Sequence, residues 1–126
     1  GSMLASASAD QTVRLWDLTT NQATSLTGHT GKVTQVAFDP TGGVLASVSL
    51  DGSVRLWNVP FRQEIKILTQ DADWFTQVAF SPRGTQVAVT RKDNAVHLLD
   101  FTSGEVHSLL HDLNYRFSQH RKENEN

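Results

Sequence analysis

The stretch Val54-Arg55-Leu56-Trp57-Asn58 decides the fold, because it recurs along the chain. Its counterparts are Val-Arg-Leu-Trp-Asp at residues 13–17 and Val-His-Leu-Leu-Asp at residues 96–100, so the spacing is 41 residues and then 42. A second pattern, Val-Ala-Phe followed by Asp-Pro or Ser-Pro, begins at Val36 and again at Val78. Self-similarity at a fixed period of roughly 20 to 50 residues is typical of repeat architectures. The pattern therefore predicts an array of similar units.

Each period contains apolar runs with the length and composition of β-strands. Short runs rich in Val, Leu and Phe between turn formers favour strands, and tight turns favour antiparallel hairpins. The turns of the middle unit are Asp39-Pro40-Thr41-Gly42-Gly43 and Asp51-Gly52. We label the strands a to d and place those of the middle unit at about 33–38, 44–49, 54–58 and 64–68. The prediction is an all-β fold with one four-stranded antiparallel sheet in each period.

The repeat resembles a known family. Gly28-His29, Leu45-Ala46-Ser47, Asp51-Gly52 and the stretch at 54–58, at this spacing, are similar to the motifs of the WD-repeat β-propeller family. In that family each repeat forms one four-stranded blade of a ring. The resemblance covers the chain from Leu4 to about residue 120 and implies the same blades here.

The blades divide the chain as follows. The expected segments are a cloning scar and start at 1–3, strands b to d of a first blade at 4–27, a second blade at 28–69, a third at 70–111, strand a of a further blade at 115–120, and a disordered tail at 121–126. Residues 116–120 are assigned to strand a because they repeat the pattern at 32–36 and 74–78. This division supplies three blades' worth of strands.

Three blades are too few for a ring, because propellers typically have about four to eight. An open arc would leave two apolar blade faces and unpaired backbone edges uncovered. We therefore expect the chain to bind itself, with strand a of one copy completing the first blade of another. A two-fold six-bladed ring is favoured, and a three-fold nine-bladed ring is the alternative. The competing interpretation is a piece cut from a longer single-chain propeller.

The resemblance also implies a structural hydrogen-bonded tetrad in each blade: a His before strand a, a Ser or Thr in strand b, an Asp in the b–c turn and a Trp in strand c. The matching positions are His29, Ser47, Asp51 and Trp57 in the second blade, Ser6, Asp10 and Trp16 in the first, and Asp93 in the third. The third blade carries Asp71, Val89 and Leu99 in the other three slots, so we expect it to depend more on apolar packing. A catalytic role for His29 and Asp51 is disfavoured because both already have structural roles.

A protein-binding face is implied at the end of the blades that bears the d–a and b–c loops. In related propellers three positions of each blade contact ligands there, and they correspond to Lys32, Thr34, Leu50, Trp74, Thr76, Lys92, Arg116, Ser118 and Ala9. We expect Trp74 to be exposed, because Phe75 takes the inward position and successive side chains of a strand alternate. An exposed Trp beside a Lys or Arg has the composition of an interface hot spot.

Composition narrows the class of function. The chain has 126 residues, 11 basic and 13 acidic, with a net charge of −2 and no cysteine. Nucleic-acid binding is disfavoured because no single-sign field is present, and no apolar run is long enough to span a membrane. We expect a cytoplasmic or nuclear scaffold that binds an unidentified protein or peptide, with no enzymatic activity, cofactor or metal. The alternative is a propeller domain from a larger enzyme or from a nucleic-acid-binding complex.

Overall fold

The computed structural model describes residues 2–70, 73–101 and 106–108, and for the last three residues the backbone alone. These residues form three antiparallel sheets and no helix, which confirms the predicted all-β fold. The strands are β1 (Met3–Ala7), β2 (Val13–Asp17) and β3 (Gln22–Leu26) in the first sheet; β4 (Val33–Phe38), β5 (Val44–Ser49), β6 (Ser53–Asn58) and β7 (Gln63–Gln70) in the second; and β8 (Phe75–Phe80), β9 (Gln86–Arg91), β10 (Val96–Asp100) and β11 (Val106–Ser108) in the third. Within this part of the chain, no helix is long and apolar enough to cross a membrane.

Neighbouring strands of the second sheet are consecutive in sequence, in the order β4-β5-β6-β7. Strands a and b lie where the sequence predicts them, and β6 begins one residue earlier than strand c. The outer strand β7 is longer than the predicted strand d, which was placed at about 64–68. Its eight residues lie opposite the six residues of β6. Two register shifts in the β6–β7 pairing accommodate the difference, because a bulge places two residues opposite one.

The turn between strands b and c needs a positive φ at one position in every sheet. Gly52 has φ 83°, and the residues in the equivalent slots, Gln11 and Asn94, have φ 77° and 68°. Glycine adopts this conformation without steric cost, and asparagine tolerates it better than most residues. The same backbone turn is thus built three times from different side chains, which keeps the hairpins in register.

The core consists of two apolar layers between the sheets. The layer between the first and second sheets contains Val13, Leu15, Leu26, Val33, Leu45, Trp57 and Val59. The layer between the second and third contains Ala46, Val48, Val54, Leu56, Phe75, Val78, Val87, Val89 and Leu99. Because side chains of a strand alternate between its faces, the second sheet supplies both layers.

The first sheet has three strands, in the order β1-β2-β3. β1 lies at its edge, whereas the equivalent strands β5 and β9 are paired with β4 and β8. The predictions of a further strand a at 115–120 and a disordered tail at 121–126 fall outside the described residues.

Candidate functional site

A directed chain of hydrogen bonds runs through the second sheet. The Nε1–H of Trp57 donates to Ser47 Oγ at 2.8 Å, and Ser47 Oγ lies 2.6 Å from His29 Nε2. His29 Nδ1 lies 2.9 Å from Asp51 Oδ2. Because an ionised carboxylate only accepts, the imidazole carries a proton on Nδ1 and donates it to Asp51. Burial lowers the pKa of His29 and favours the neutral ring, so Nε2 accepts from the Ser47 hydroxyl. The network therefore assigns a neutral imidazole of one tautomer.

The carboxylate of Asp51 accepts three further hydrogen bonds. They come from the backbone N–H of Thr30 at 2.9 Å, the backbone N–H of Ser53 at 2.8 Å and the Ser53 hydroxyl at 2.6 Å. Burial raises the pKa of Asp51, but these donors together with His29 outweigh burial and lower it to about 2. Asp51 is thus the fixed anion on which the chain of donors ends.

Ser53 was missed by the sequence analysis. Its Oγ donates to Asp51 and also lies 3.0 Å from His29 Nδ1. In the first sheet Thr12 occupies the same slot, and its N–H and hydroxyl donate to Asp10 Oδ1 at 3.0 and 2.6 Å. A hydroxyl two residues after the turn aspartate in two of three repeats was the available signal.

Ser47, His29 and Asp51 have the spacing of a Ser-His-Asp catalytic triad, but Ser47 is not placed to attack a substrate. Its side chain is fully buried, and Oγ already accepts from Trp57 and donates to His29. A catalytic serine has to face a site where a reacting carbonyl fits. The arrangement therefore binds β5, β6, the turn between them and the loop before β4 together instead of exposing a nucleophile.

A partly buried ion pair adjoins the tetrad. Arg55, which is 8% exposed, donates from Nη1 to Glu64 Oε1 at 2.6 Å and from Nε to Ser53 Oγ at 3.2 Å. The loop before β4 passes so close to it that a Cβ on Gly28 would lie 3.0 Å from Arg55 Nη1. On Gly31, a Cβ would lie 2.8 Å from the backbone nitrogen of Asp51. Glycine at both positions allows the loop to bring His29 into the sheet.

The tetrad makes stability depend on pH through His29. Burial is the largest cause that lowers the pKa of His29 below 6.5, and it outweighs the opposing effect of the hydrogen bond to Asp51. A lowered folded-state pKa stabilises the protein above the unfolded-state value and loses that stabilisation as the pH falls. The urea midpoint should therefore fall between about pH 7.5 and about pH 5.5, whereas the Asp51 contribution is lost only below about pH 3.8. His29→Asn should reduce this fall, and an equal fall in both proteins would contradict the assignment.

The first and third sheets contain parts of the tetrad. In the first, Trp16 Nε1 donates to Ser6 Oγ at 3.2 Å. In the third, Val89 and Leu99 are buried in the apolar layer, and Asp93 accepts from the backbone N–H of Ala95 and from Arg91 at 3.0 Å each. Asp71 lies outside the described residues.

The predicted binding face contains two equivalent pairs of exposed residues. The backbone N–H of Leu50 donates to the carbonyl of Lys32 at 2.9 Å, and that of Lys92 donates to the carbonyl of Trp74 at 3.1 Å. Trp74 is 40% exposed, and the Nζ of Lys92 lies 4.4 Å from the centroid of its ring. Ala9 is exposed at the corresponding place in the first sheet. The described part of the face therefore presents an aromatic ring, two ammonium groups and an aliphatic side chain.

Thr34 and Thr76 differ from the other residues of the predicted face. Both are half-buried and lie at register shifts, between Val33 and Gln35 in β4 and between Phe75 and Gln77 in β8. The Thr34 hydroxyl lies 2.9 Å from the carbonyl of Phe75 and 3.2 Å from that of Val48, and the Thr76 hydroxyl donates to the carbonyl of Thr90 at 3.2 Å. These two hydroxyls therefore form hydrogen bonds with backbone carbonyl groups of the sheets. Arg116 and Ser118 lie outside the described residues.

A cleft of about 440 Å³ opens beside β1 and the β4–β5 turn. Its lining is Ser2, Met3, Phe38, Asp39, Pro40, Thr41 and Gly42. Asp39 is its one acidic residue, and the carboxylate accepts from the Thr41 hydroxyl and from the backbone N–H of Val44. This lining holds no acid–base pair, so the tetrad and the exposed face are the candidate sites within the described residues.

The comparisons with known proteins agree with this geometry. The family model described as WD domain, G-beta repeat, matches residues 1–17 and 20–58, which span the first sheet and the second as far as the end of β6. No curated protein matches the chain. The chain is therefore similar to WD repeats over these residues, and a four-stranded sheet with the same b–c turn recurs beyond them in the third sheet.

Proposed function

We propose that the chain is a non-catalytic scaffold module that binds a protein or peptide. The binding face consists of Lys32, Leu50, Trp74 and Lys92, at the end of the sheets that bears the b–c turns. WD repeats generally mediate protein interactions as scaffolds and are generally non-catalytic. The buried, fully bonded state of the tetrad supports a structural role for it and leaves the exposed face as the binding candidate.

The exposure of Trp74 is the observation that carries the proposal. Its neighbour Phe75 is only 2% exposed, so strand alternation places one aromatic ring in the core and the other on the surface. The Lys92 ammonium above the ring is a favourable cation–π arrangement. A partner with an apolar side chain against the indole and an acidic group beside the ammonium group of Lys32 fits this chemistry, because the ammonium group of Lys92 already lies 3.8 Å from Asp73 Oδ1.

The test is a selection of displayed random peptides on the immobilised chain, followed by measurement of Kd for the enriched peptides. Trp74→Ala should raise Kd at least about tenfold, because truncation of a hot-spot aromatic costs more than the free energy of one decade in affinity. The melting temperature and the molecular mass should change little, because the side chain lies outside both apolar layers.

Phe61→Ala is the matched control for Trp74→Ala. Phe61 is also an exposed aromatic, at 73%, but it lies in the β6–β7 turn at the opposite end of the strands. Peptide affinity should be unchanged in this variant. Equal affinities of the wild type and Trp74→Ala, or a large loss of stability in Trp74→Ala, would contradict the proposed face.

A further inference from the structure

The two apolar layers of the core are one interface made twice. We define the forward face of the second sheet as Ala46, Val48, Val54 and Leu56, and its rear face as Leu45, Ser47, Trp57 and Val59. The forward face packs against the third sheet, and the apolar residues of the rear face pack against the first. The residues one period earlier and later obey the same rule: Ala5, Ala7, Val13 and Leu15 form the forward face of the first sheet, and Val87, Val89, Leu99 and Phe101 form the rear face of the third.

Two such faces have no sheet against them among the described residues. The rear face of the first sheet consists of Leu4, Ser6, Trp16 and Leu18. Leu4 is 55%, Trp16 37% and Leu18 57% exposed, whereas their counterparts Leu45, Trp57 and Val59 are at most 4% exposed. The forward face of the third sheet consists of Ala88, Thr90, Val96 and Leu98. All four are half-buried, whereas their counterparts Ala46, Val48, Val54 and Leu56 are completely buried.

We infer that the forward face of the third sheet of one copy packs on the rear face of the first sheet of a second copy. The two faces are complementary because their counterparts already form this contact between the first and second sheets and again between the second and third. Ala88, Val96 and Leu98 are identical to their counterparts in the second sheet, and Thr90 stands in the place of Val48. The exposed apolar surface at the two ends is of the kind that marks protein interfaces.

The rear face of the first sheet is suited to burial. Trp16 already donates its indole N–H to Ser6 at 3.2 Å, so a covering sheet would leave no unpaired donor on the ring. Arg14, in the slot of the buried Arg55, lies 3.5 Å from Asp10, so its charge has a partner at the rim. The second copy therefore meets a largely apolar surface on which the Trp16 indole N–H and the Arg14 guanidinium already have partners.

The contact joins two different faces, so repeating it builds either a closed ring or an open filament. Two copies related by a two-fold axis supply six sheets, which falls within the range of about four to eight blades found in propellers. Three copies would supply nine. The structure therefore favours a two-fold ring with two identical head-to-tail contacts. These contacts lie on the faces of the sheets and do not involve the peptide-binding face at the ends of the strands.

Sedimentation and light scattering of the 126-residue chain at micromolar concentration test the inference. The expected mass is twice the 13.9 kDa of one chain. Leu98→Asp on the forward face and Leu4→Lys on the rear face should each shift the protein toward the mass of one chain. Phe61→Asp, which places a charge in an exposed turn outside both faces, should leave the mass unchanged.

Mixing the two variants distinguishes this contact from any other. A dimer of one variant has no intact contact. A mixed dimer has one unaltered contact and one in which the introduced carboxylate of one variant faces the introduced ammonium group of the other, so the mass of two chains should return. Circular dichroism establishes that each variant is folded. If Leu98→Asp does not fold, the mass of Leu4→Lys alone decides the question, because Leu4 is 55% exposed. A folded Leu4→Lys variant with the mass of one chain supports the contact.

The inference would be overturned by a folded wild-type monomer, by a wild-type mass of three chains, or by a dimer that both variants leave intact. Absence of dimers in the mixture of folded variants would exclude the head-to-tail contact.

Discussion

Trp57→Ala is expected to lower the free energy of unfolding by about 3 to 5 kcal/mol, the usual range for removal of a buried aromatic side chain. The indole is 2% exposed and lies in the apolar layer with Val13, Leu15 and Leu45. Its removal leaves a cavity between the first and second sheets and takes the N–H donor from Ser47. Urea unfolding at a fixed protein concentration measures the loss, and the concentration is held constant because self-association would contribute to stability.

Phe61→Ala is the control for this prediction as well. Phe61 is an aromatic residue of the same blade, and its side chain is already 73% exposed to water. Its removal therefore takes little buried apolar surface from the folded protein and leaves no cavity. Its urea midpoint should remain close to that of the wild type. Similar midpoints for Trp57→Ala and Phe61→Ala would show that the second sheet does not depend on the indole.

Asp51→Ala is expected to lower the free energy of unfolding by about 2 to 4 kcal/mol, because several buried donors lose a charged acceptor at once. The variant leaves the Ser53 hydroxyl and the backbone N–H groups of Thr30 and Ser53 without their acceptor. It also removes the partner that holds the His29 tautomer. Because the hydrogen bond to Asp51 opposes the effect of burial on the pKa of His29, its loss should lower that pKa further, so stability should fall more between about pH 7.5 and about pH 5.5 than it does in the wild type.

Asp10→Ala and Asp93→Ala are matched controls, because both remove an aspartate from the same b–c turn. The side chains of these two residues are 50% and 48% exposed, so water replaces the lost acceptor. Each should be far less destabilising than Asp51→Ala. If the three variants unfold at the same urea concentration, the buried network around His29 makes no special contribution.

Much of the fold follows from the sequence because the repeat is explicit. The periodic runs place β4 and β5 at the residues observed, since alternation of apolar side chains and the turn formers after Phe38 and Ser49 define strands locally. The resemblance to WD repeats implied His29, Ser47 and Trp57 as a structural network, and the structure joins these three residues by hydrogen bonds. Exposure of Trp74 also followed from local reasoning, because its neighbour Phe75 occupies the inward position.

Other features depend on contacts that a linear pattern does not contain. Thr34 was assigned to the binding face by its position in the repeat, but a register shift in β4 leaves its hydroxyl bonded to backbone carbonyls, one of them in the next sheet. The role of Ser53 depends on the approach of His29 and Asp51 in space, although these residues are 24 and two positions away in sequence.

The difference between Trp16 and Trp57 arises at the tertiary level. The two residues occupy the same slot in nearly identical stretches, at 13–17 and 54–58, and each donates to a serine of the neighbouring strand. Their exposed fractions are 37% and 2%, because the first sheet covers Trp57 and no described sheet covers Trp16. Local periodicity determined the strands and the side-chain slots, whereas burial depends on which sheet packs against each face, and that is a property of the stacked sheets.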